Sequence, residues 1–403
     1  MQTLASILHP YSIDQFLSEN WAQRGVFIPG QAPDRFQHFF SWQQLNDLLN
    51  FHKPRDPELR FVLKGQFLPV SDPQEWVKHC QRGASIVFSR VNERVPVLAD
   101  LIWSLQQELG HNKAHVNIYC SWPAQQGFDC HYDNHEVFIL QVDGQKEWFV
   151  FEDTLKYPHR EEVSKHQQPP TGNPYIQCVL NPGDVLYIPR GHWHYAMAQT
   201  QPSLHLTLGI RCFSGKDWLE WLVEAIQGQE AFRKNLPLMP DGDTHALEEV
   251  VKDLCDRLTT TLLQEKEKLA QSYADVHTVT NTHLPRMQEI SLPAQVGFGI
   301  FEQGLDTRLR QPKFQKVKVE PLADSGYRLI TANKKINFKG LDSHIVENLV
   351  ENLFNFESFT LGDVAEWLPE SNLETIILPL LSGLIQEGMI LVDEKRTIAQ
   401  EVS

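Results

Sequence analysis

Between Ala114 and Cys212 the sequence changes period. Six short runs, AHVNIYCSW, EVFILQV, KEWFVF, GDVLYIP, HWHYAMA and SLHLTLGIRC, alternate apolar with polar residues and are separated by turn residues. Successive side chains of a strand point to opposite faces, so such runs bury their apolar faces by packing on one another, and short antiparallel strands at this spacing build a sandwich or barrel. The rest of the chain must fold around that core, and its spacing is helical. Ser12 with Gln15, and Ser41 with Gln44, match capping boxes at helix starts, and the first hundred residues read as mainly helical. After Pro96 the residues Val97, Leu98, Leu101, Ile102, Leu105 and Leu109 predict an amphipathic helix that stops at Gly110.

Beyond Lys216 the helical period returns. Leu247, Val251, Leu254, Leu258 and Leu262 predict a long helix between PLMPDGDTH and NTHLPR, in a helical hairpin or bundle. Its apolar stripe serves either intramolecular packing or a subunit interface. From about residue 310 to 400 the pattern is strand or loop, then three helices (one opened by Ser343, then FTLGDVAEWL and NLETIILPLLSGLIQEG), then the strand MILVDE, which suggests a winged-helix module.

Charge and cysteine usage exclude several classes. A formal net charge of −15 opposes broad binding to phosphate backbones, which relies on clustered Lys and Arg. From Leu341 onward Asp342, Glu347, Glu374, Glu387 and other acidic residues face only Lys395 and Arg396, so the last module is expected to pack in an oligomer or recruit a protein substrate and not to read DNA. Cys80, Cys120, Cys130, Cys178, Cys212 and Cys255 include no CxxC pair and read as free thiols in a reducing compartment. The N-terminal segment lacks a basic, apolar leader and no run is long enough to span a bilayer, so a soluble cytoplasmic protein with no membrane partner is expected.

The chemistry concentrates in GFDCHYDNHEVFILQVDGQKEWFVF, residues 127–151. In a strand, side chains at i and i+2 share a face, so His131 and Asp133 can chelate one ion. Asp143-Gly144 reads as a two-residue hairpin turn that pairs Val142 with Gln145, Gln141 with Lys146 and Ile139 with Trp148. Counting back by twos from Gln141 reaches Asp133 and His131, so Lys146 projects on the ligand side. In NPGDVLYIPRGHWHYAMA, His194 is the expected third ligand, with His192 as the alternative. Two imidazoles and one carboxylate on one face of an octahedral ion leave room for oxygen and a bidentate 2-oxoacid. The distal carboxylate of such an acid needs a cation, and Lys146 meets that need. In SLHLTLGI, His205 and Thr207 lie opposite the leucines, so His205 faces the barrel interior, either as a hydrogen-bonded core residue or as a cosubstrate or substrate contact.

VNIYCSWPAQQGFDCHYDNHEVFILQVDGQKEWFVFED and LNPGDVLYIPRGHWHYAMAQTQPSLHLTLGI resemble the Jumonji C oxygenases of the cupin superfamily, and among them the ribosomal oxygenases that hydroxylate arginine or histidine in ribosomal proteins. FLSENWAQRGVFIPG resembles the N-terminal segment of that group. The resemblance implies an α+β fold class: a double-stranded β-helix (jelly-roll, cupin) catalytic core with helical N-terminal elements over 1–215, a helical dimerisation region over 216–300 and a winged-helix-like domain over 301–403. It implies His131, Asp133 and His194 as Fe(II) ligands and Lys146 as the salt-bridge partner of the cosubstrate 2-oxoglutarate. Tyr119, in an Asn-x-Tyr element with Asn117, would reach the same carboxylate. Where the family often carries a second acidic residue after HxD, this chain has Asn134-His135. The function implied is hydroxylation of a side chain in a protein or peptide, a ribosomal protein among them, by a homodimer. The alternatives are N-methyl-lysine demethylation and a non-catalytic metal-binding cupin scaffold. Lys146 and Tyr119 oppose the scaffold, since a structural metal site needs no carboxylate anchor.

Overall fold

The structure is a computed structural model that describes residues 2–70, 72–110, 113–123, 127–276, 289–315, 317–322, 326–331, 334–339, 348–349 and 352–393. The expectations at Ser343, Asp342, Glu347, Lys395 and Arg396 lie outside these residues. Contacts divide the chain into two units, 1–233 and 234–403. The helices grouped above as one region, 216–300, are shared between them.

In the first unit four short strands, β1 (Val26–Ile28), β2 (Leu59–Leu63), β3 (Gln66–Leu68) and β4 (Ser85–Phe88), precede the expected set. The set follows as β5 (Lys113–Ser121), β6 (Glu136–Asp143), β7 (Lys146–Asp153), β8 (Ile176–Leu180), β9 (Val185–Ile188), β10 (His192–Ala198) and β11 (Ser203–Arg211). They form an eight-stranded sheet, β1-β9-β6-β11-β5-β4-β2-β3, and a three-stranded sheet, β10-β7-β8. Val137, Ile139, Leu186 and Ile188 of the large sheet pack on Trp148, Val150 and Leu180 of the small one, closing a double-stranded β-helix. The first hundred residues are thus less helical than expected. β1 to β4 are only three to five residues long, and all four residues of β4 are buried, so no alternation marks it.

The other face of the large sheet carries the helices. Phe138, Leu140, Val142, Leu204, Leu206, Leu208, Val116 and Ile118 pack with Leu98, Leu101, Ile102 and Leu105 of the helix Pro96–Leu109, which stops at Gly110 with φ 66°. Ser12 and Ser41 cap their helices by accepting from the backbone N–H of Gln15 and Gln44. Only that half of each capping box forms: Gln44 Oε1 accepts from the Ser41 hydroxyl instead of reaching the backbone.

The expected Asp143-Gly144 hairpin is corrected. β6 pairs with β9 and β11, while β7 pairs with β8 and β10, so the turn carries the chain from one sheet to the other and the predicted Gln141–Lys146 pairing does not occur. An Asp-Gly pair encodes a sharp reversal but not which sheet receives the next strand. Because the inner faces of the two sheets oppose each other, Lys146 still points into the interior.

In the second unit the helix His245–Asp275 spans the predicted stretch. β12 (Arg308–Arg310) is followed by the antiparallel meander β13 (Lys318–Leu322), β14 (Gly326–Ile330) and β15 (Lys335–Lys339). β16 (Ser358–Thr360) and β17 (Leu391–Val392) flank β12, with helices Leu361–Trp367 and Leu378–Gln386 between them in sequence.

Gly144 tests the turn. Its φ is 66°, and a Cβ there would lie 1.9 Å from the Pro202 carbonyl oxygen. Gly110 has the same φ with nothing near it. Gly110→Ala should cost about 1–3 kcal/mol, the backbone strain alone, and Gly144→Ala distinctly more, measured as the difference in calorimetric unfolding.

Candidate active site

β6 is preceded by His131, which forms an isolated backbone bridge with His194 of β10. His194 N donates to His131 O at 2.7 Å, His131 N donates back at 3.1 Å, and Gly191 N donates to Asp133 O at 2.8 Å. Behind the bridge Tyr132 packs edge-on against the buried Trp193, whose Nε1 donates to Thr154 Oγ1 at 2.9 Å. The intervening residues thus anchor both segments, and His131, Asp133 and His194 emerge on one side with ligand atoms within 4.8 Å of one another.

The tautomers follow from the backbone. His131 Nδ1 meets Asp129 O at 2.8 Å and His194 Nδ1 meets His192 O at 3.1 Å. A carbonyl only accepts, so each Nδ1 carries the proton and each Nε2 lone pair is left for a metal. His194 Nε2 lies 3.6 Å from Asp133 Oδ2. Burial, aided by the nearby His131, pushes His194 down to about 4, so it is neutral at physiological pH. Burial would raise the Asp133 carboxyl, but His135, His131 and His194 outweigh it and hold the group below its usual value. A carboxylate with two available imidazole nitrogens fits a divalent first-row metal such as Fe(II). His192 is not brought to this group. Its Nδ1 meets the Tyr175 hydroxyl at 2.8 Å, and it clusters with Glu152 and Asp153, where Glu152 pairs with Arg24 at 2.9 Å.

The triad opens on a cavity of about 320 Å³ that Lys146, Tyr119, Asn117 and His205 also line. Lys146 is buried; its Nζ donates to Ser121 Oγ at 3.0 Å, and among the described residues no carboxylate pairs with it. Burial lowers its pKa to about 8. Tyr119 stacks on His205 with ring centroids 5.2 Å apart, and burial raises its hydroxyl to about 12. His205 is buried and held neutral, with Nδ1 lacking a hydrogen-bond partner. Asn117 accepts from Arg90 N at 3.0 Å. Ser121, Trp148, Ser85 and Arg60 also line the cavity and were not anticipated. Ser121 continues the alternation of Asn117 and Tyr119 and was within reach of the strand pattern. Ser85 and Arg60 lie on the short strands that periodicity passed over.

Residues 93–218 match the family model of the JmjC domain. That segment is thus similar to the JmjC domain, and the first unit has the double-stranded β-helix of the cupin fold. Among known proteins, the bifunctional lysine-specific demethylase and histidyl-hydroxylase NO66 of Drosophila persimilis is 30% identical over 262 residues, covering 59% of this chain and 36% of that protein. The NO66 protein of Drosophila melanogaster is 30% identical over 263 residues, covering 59% and 39%. The chain spans about a third of the length of these relatives. Among solved structures, the Escherichia coli ribosomal oxygenase YcfD aligns over 95% of this chain and 98% of its own at a TM-score of 0.56 and 18% identity. The YcfD complex with cobalt and 2-oxoglutarate aligns over 95% and 99%, also at 0.56 and 18%. That likeness is one of fold.

Separate alanine substitutions of His131, Asp133 and His194 should each weaken Fe(II) or Co(II) binding at least tenfold by calorimetric titration, in line with the effects seen on losing metal-site groups. His192→Ala should bind metal as the parent does; loss of metal on that change would give His192 the third-ligand role.

Proposed function

We propose that the chain is an Fe(II)- and 2-oxoglutarate-dependent oxygenase that hydroxylates a side chain of a protein or peptide. The observation that carries this reading is Lys146, a buried ammonium that pairs with no carboxylate among the described residues and lines the same cavity as His131, Asp133 and His194. A metal-binding scaffold has no use for such a group, whereas a dicarboxylate chelating the metal requires one. When bound, Fe(II) with 2-oxoglutarate and O2 supplies the chemistry: one oxygen atom enters the substrate C–H bond and the other enters succinate as CO2 leaves. The chain holds the metal through the triad, and Lys146 and Ser121 donate to the distal carboxylate of the cosubstrate. Tyr119, supported by Asn117, reaches the same carboxylate. His205 is neutral and adds no competing charge. Trp148 and Ile139 wall the cavity with apolar surface and keep water from the bound cosubstrate.

The same reading extends to the assembly. The helix Gly215–Ile226 buries Leu222 and Ile226 yet leaves Leu219 and Val223 55% and 62% exposed, which supports a homodimer through this region. Changing Leu219 and Val223 together to Glu should halve the mass measured by light scattering, and a monomeric parent would end the idea. The order β16, helix, helix, β17 supports a winged-helix-like module. Its helix Leu378–Gln386 carries no cation and Glu387 is occupied by Lys334 at 3.1 Å, which favours a structural or protein-recruiting role over DNA reading. All six cysteines are free, in keeping with a cytoplasmic setting, and no helix among the described residues is long and apolar enough to cross a membrane. The natural substrate would be a protein of that compartment, with ribosomal proteins the first class to test.

Anaerobic titration with Fe(II) and 2-oxoglutarate should develop the metal-to-ligand absorption band. No band with metal demonstrably bound, together with no succinate from any peptide, removes the oxygenase reading. Lys146→Ala deletes a charge-assisted bond of about 1.5–3 kcal/mol, so cosubstrate affinity should fall roughly tenfold to 150-fold with metal affinity nearly unchanged. The free lysine has its pKa near 8, and a bound carboxylate raises it. Affinity for 2-oxoglutarate should therefore be level below that pH and fall as pH rises through it, by up to about tenfold per unit. Lys146→Ala should abolish that dependence.

A further inference from the structure

Arg60 reaches the cavity without a task in the site described above. It lies on β2, outside the JmjC segment, and no motif points to it. Arg60 pairs with Val87 of β4, Val87 with Tyr119 of β5, and Tyr119 with His205 of β11. Directly opposed residues share a face, so the four form a row across the cavity side of the large sheet.

The guanidinium is held from behind. Nη2 donates to Ser89 Oγ at 3.0 Å, and Cζ lies 5.5 Å from the centre of the Phe67 ring. Among the described residues Nη1 makes no hydrogen bond and no carboxylate pairs with this arginine, whereas the equally partnerless Nε is sealed from the cavity. Asp133 is the one carboxylate among the described residues lining the cavity, and the oxygenase reading assigns it to the metal. The cavity therefore holds an unfilled donor and no spare anion. A neutral or anionic side chain bearing an acceptor atom would complete Arg60. A guanidinium or methylated ammonium would lose its hydration, gain no counter-ion and meet a like charge.

We propose that Arg60 determines substrate specificity: it donates to an acceptor atom on the side chain being hydroxylated, admits neutral or anionic acceptor-bearing side chains, and excludes arginine and methyl-lysine. This rests on the oxygenase reading, and the experiment separates the two. The full chain, loaded with Fe(II) and 2-oxoglutarate, is given a Glu-C digest of a whole proteome, and products are mapped by mass spectrometry. Every added oxygen is expected on a residue with a neutral or anionic acceptor-bearing side chain. Hydroxylated arginine or lysine, or loss of N-methyl groups, overturns the proposal. On the most modified peptide, Arg60→Met is expected to raise KM roughly tenfold to 150-fold, the loss of one charge-assisted bond, with the absorption band and 2-oxoglutarate affinity unchanged. Arg60→Lys, which keeps the charge, is expected to recover part of that loss. An unchanged KM in Arg60→Met overturns the role. Failure of the band in the parent protein removes the oxygenase reading itself, which is a different result.

Discussion

The central strands of the large sheet are buried on both faces, and the site depends on that constraint. In β5, β6 and β11 one set of alternate residues, among them Ile118, Leu140 and Leu206, packs against the helices. The other set, among them Tyr119, Ile139 and His205, lines the cavity. Full burial of each leucine or isoleucine contributes about 1.5–3 kcal/mol, and a slip of one residue would exchange the two sets. Apolar packing on the helical face thus holds the polar groups of the opposite face in register. The His131–His194 backbone bridge adds the local constraint that brings side chains from two segments to one point in the cavity.

The cavity lining runs against ordinary core chemistry. Among the described residues Lys146 is buried without an anion and Arg60 Nε and His205 Nδ1 lack hydrogen-bond partners, while the Asp133 carboxyl sits among imidazoles. An unsatisfied buried donor or acceptor costs about 1–3 kcal/mol, a cost the surrounding core offsets. The groups differ in what they lack: the triad a cation, Lys146 a carboxylate, Arg60 an acceptor. Under the proposed function these three needs correspond to metal, cosubstrate and substrate, in that order from the motif outward.

The grouping of His131, Asp133 and His194 was legible because His131 and Asp133 lie two residues apart next to one strand, and the turn residues before His194 mark where the next strand begins. The helix Pro96–Leu109 was legible because its packing repeats every three or four residues. Lys146 was expected to face the cavity and does, but not through the hairpin that was to put it there, which does not form. The alternation carried across Gly144 from β6 into β7 was right, while the partner strands were not. β1 to β4 escaped notice because strands of three to five residues, some wholly buried, contain no period to detect.

Local chemistry in the sequence therefore determined the strand and helix periods, the shared face of His131 and Asp133, the charge available at Lys146 and the turn at Gly144. Tertiary structure alone decided which sheet each strand joined, that His194 and not His192 lies beside His131 and Asp133, and that Arg60 enters the cavity. The reason is one of range. Spacing along a strand or helix fixes which residues share a face, whereas the partner of that face is selected by burial summed over segments far apart in the chain. Arg60 and Tyr119 share a row only because β4 lies between their strands, a neighbourhood that no local pattern records.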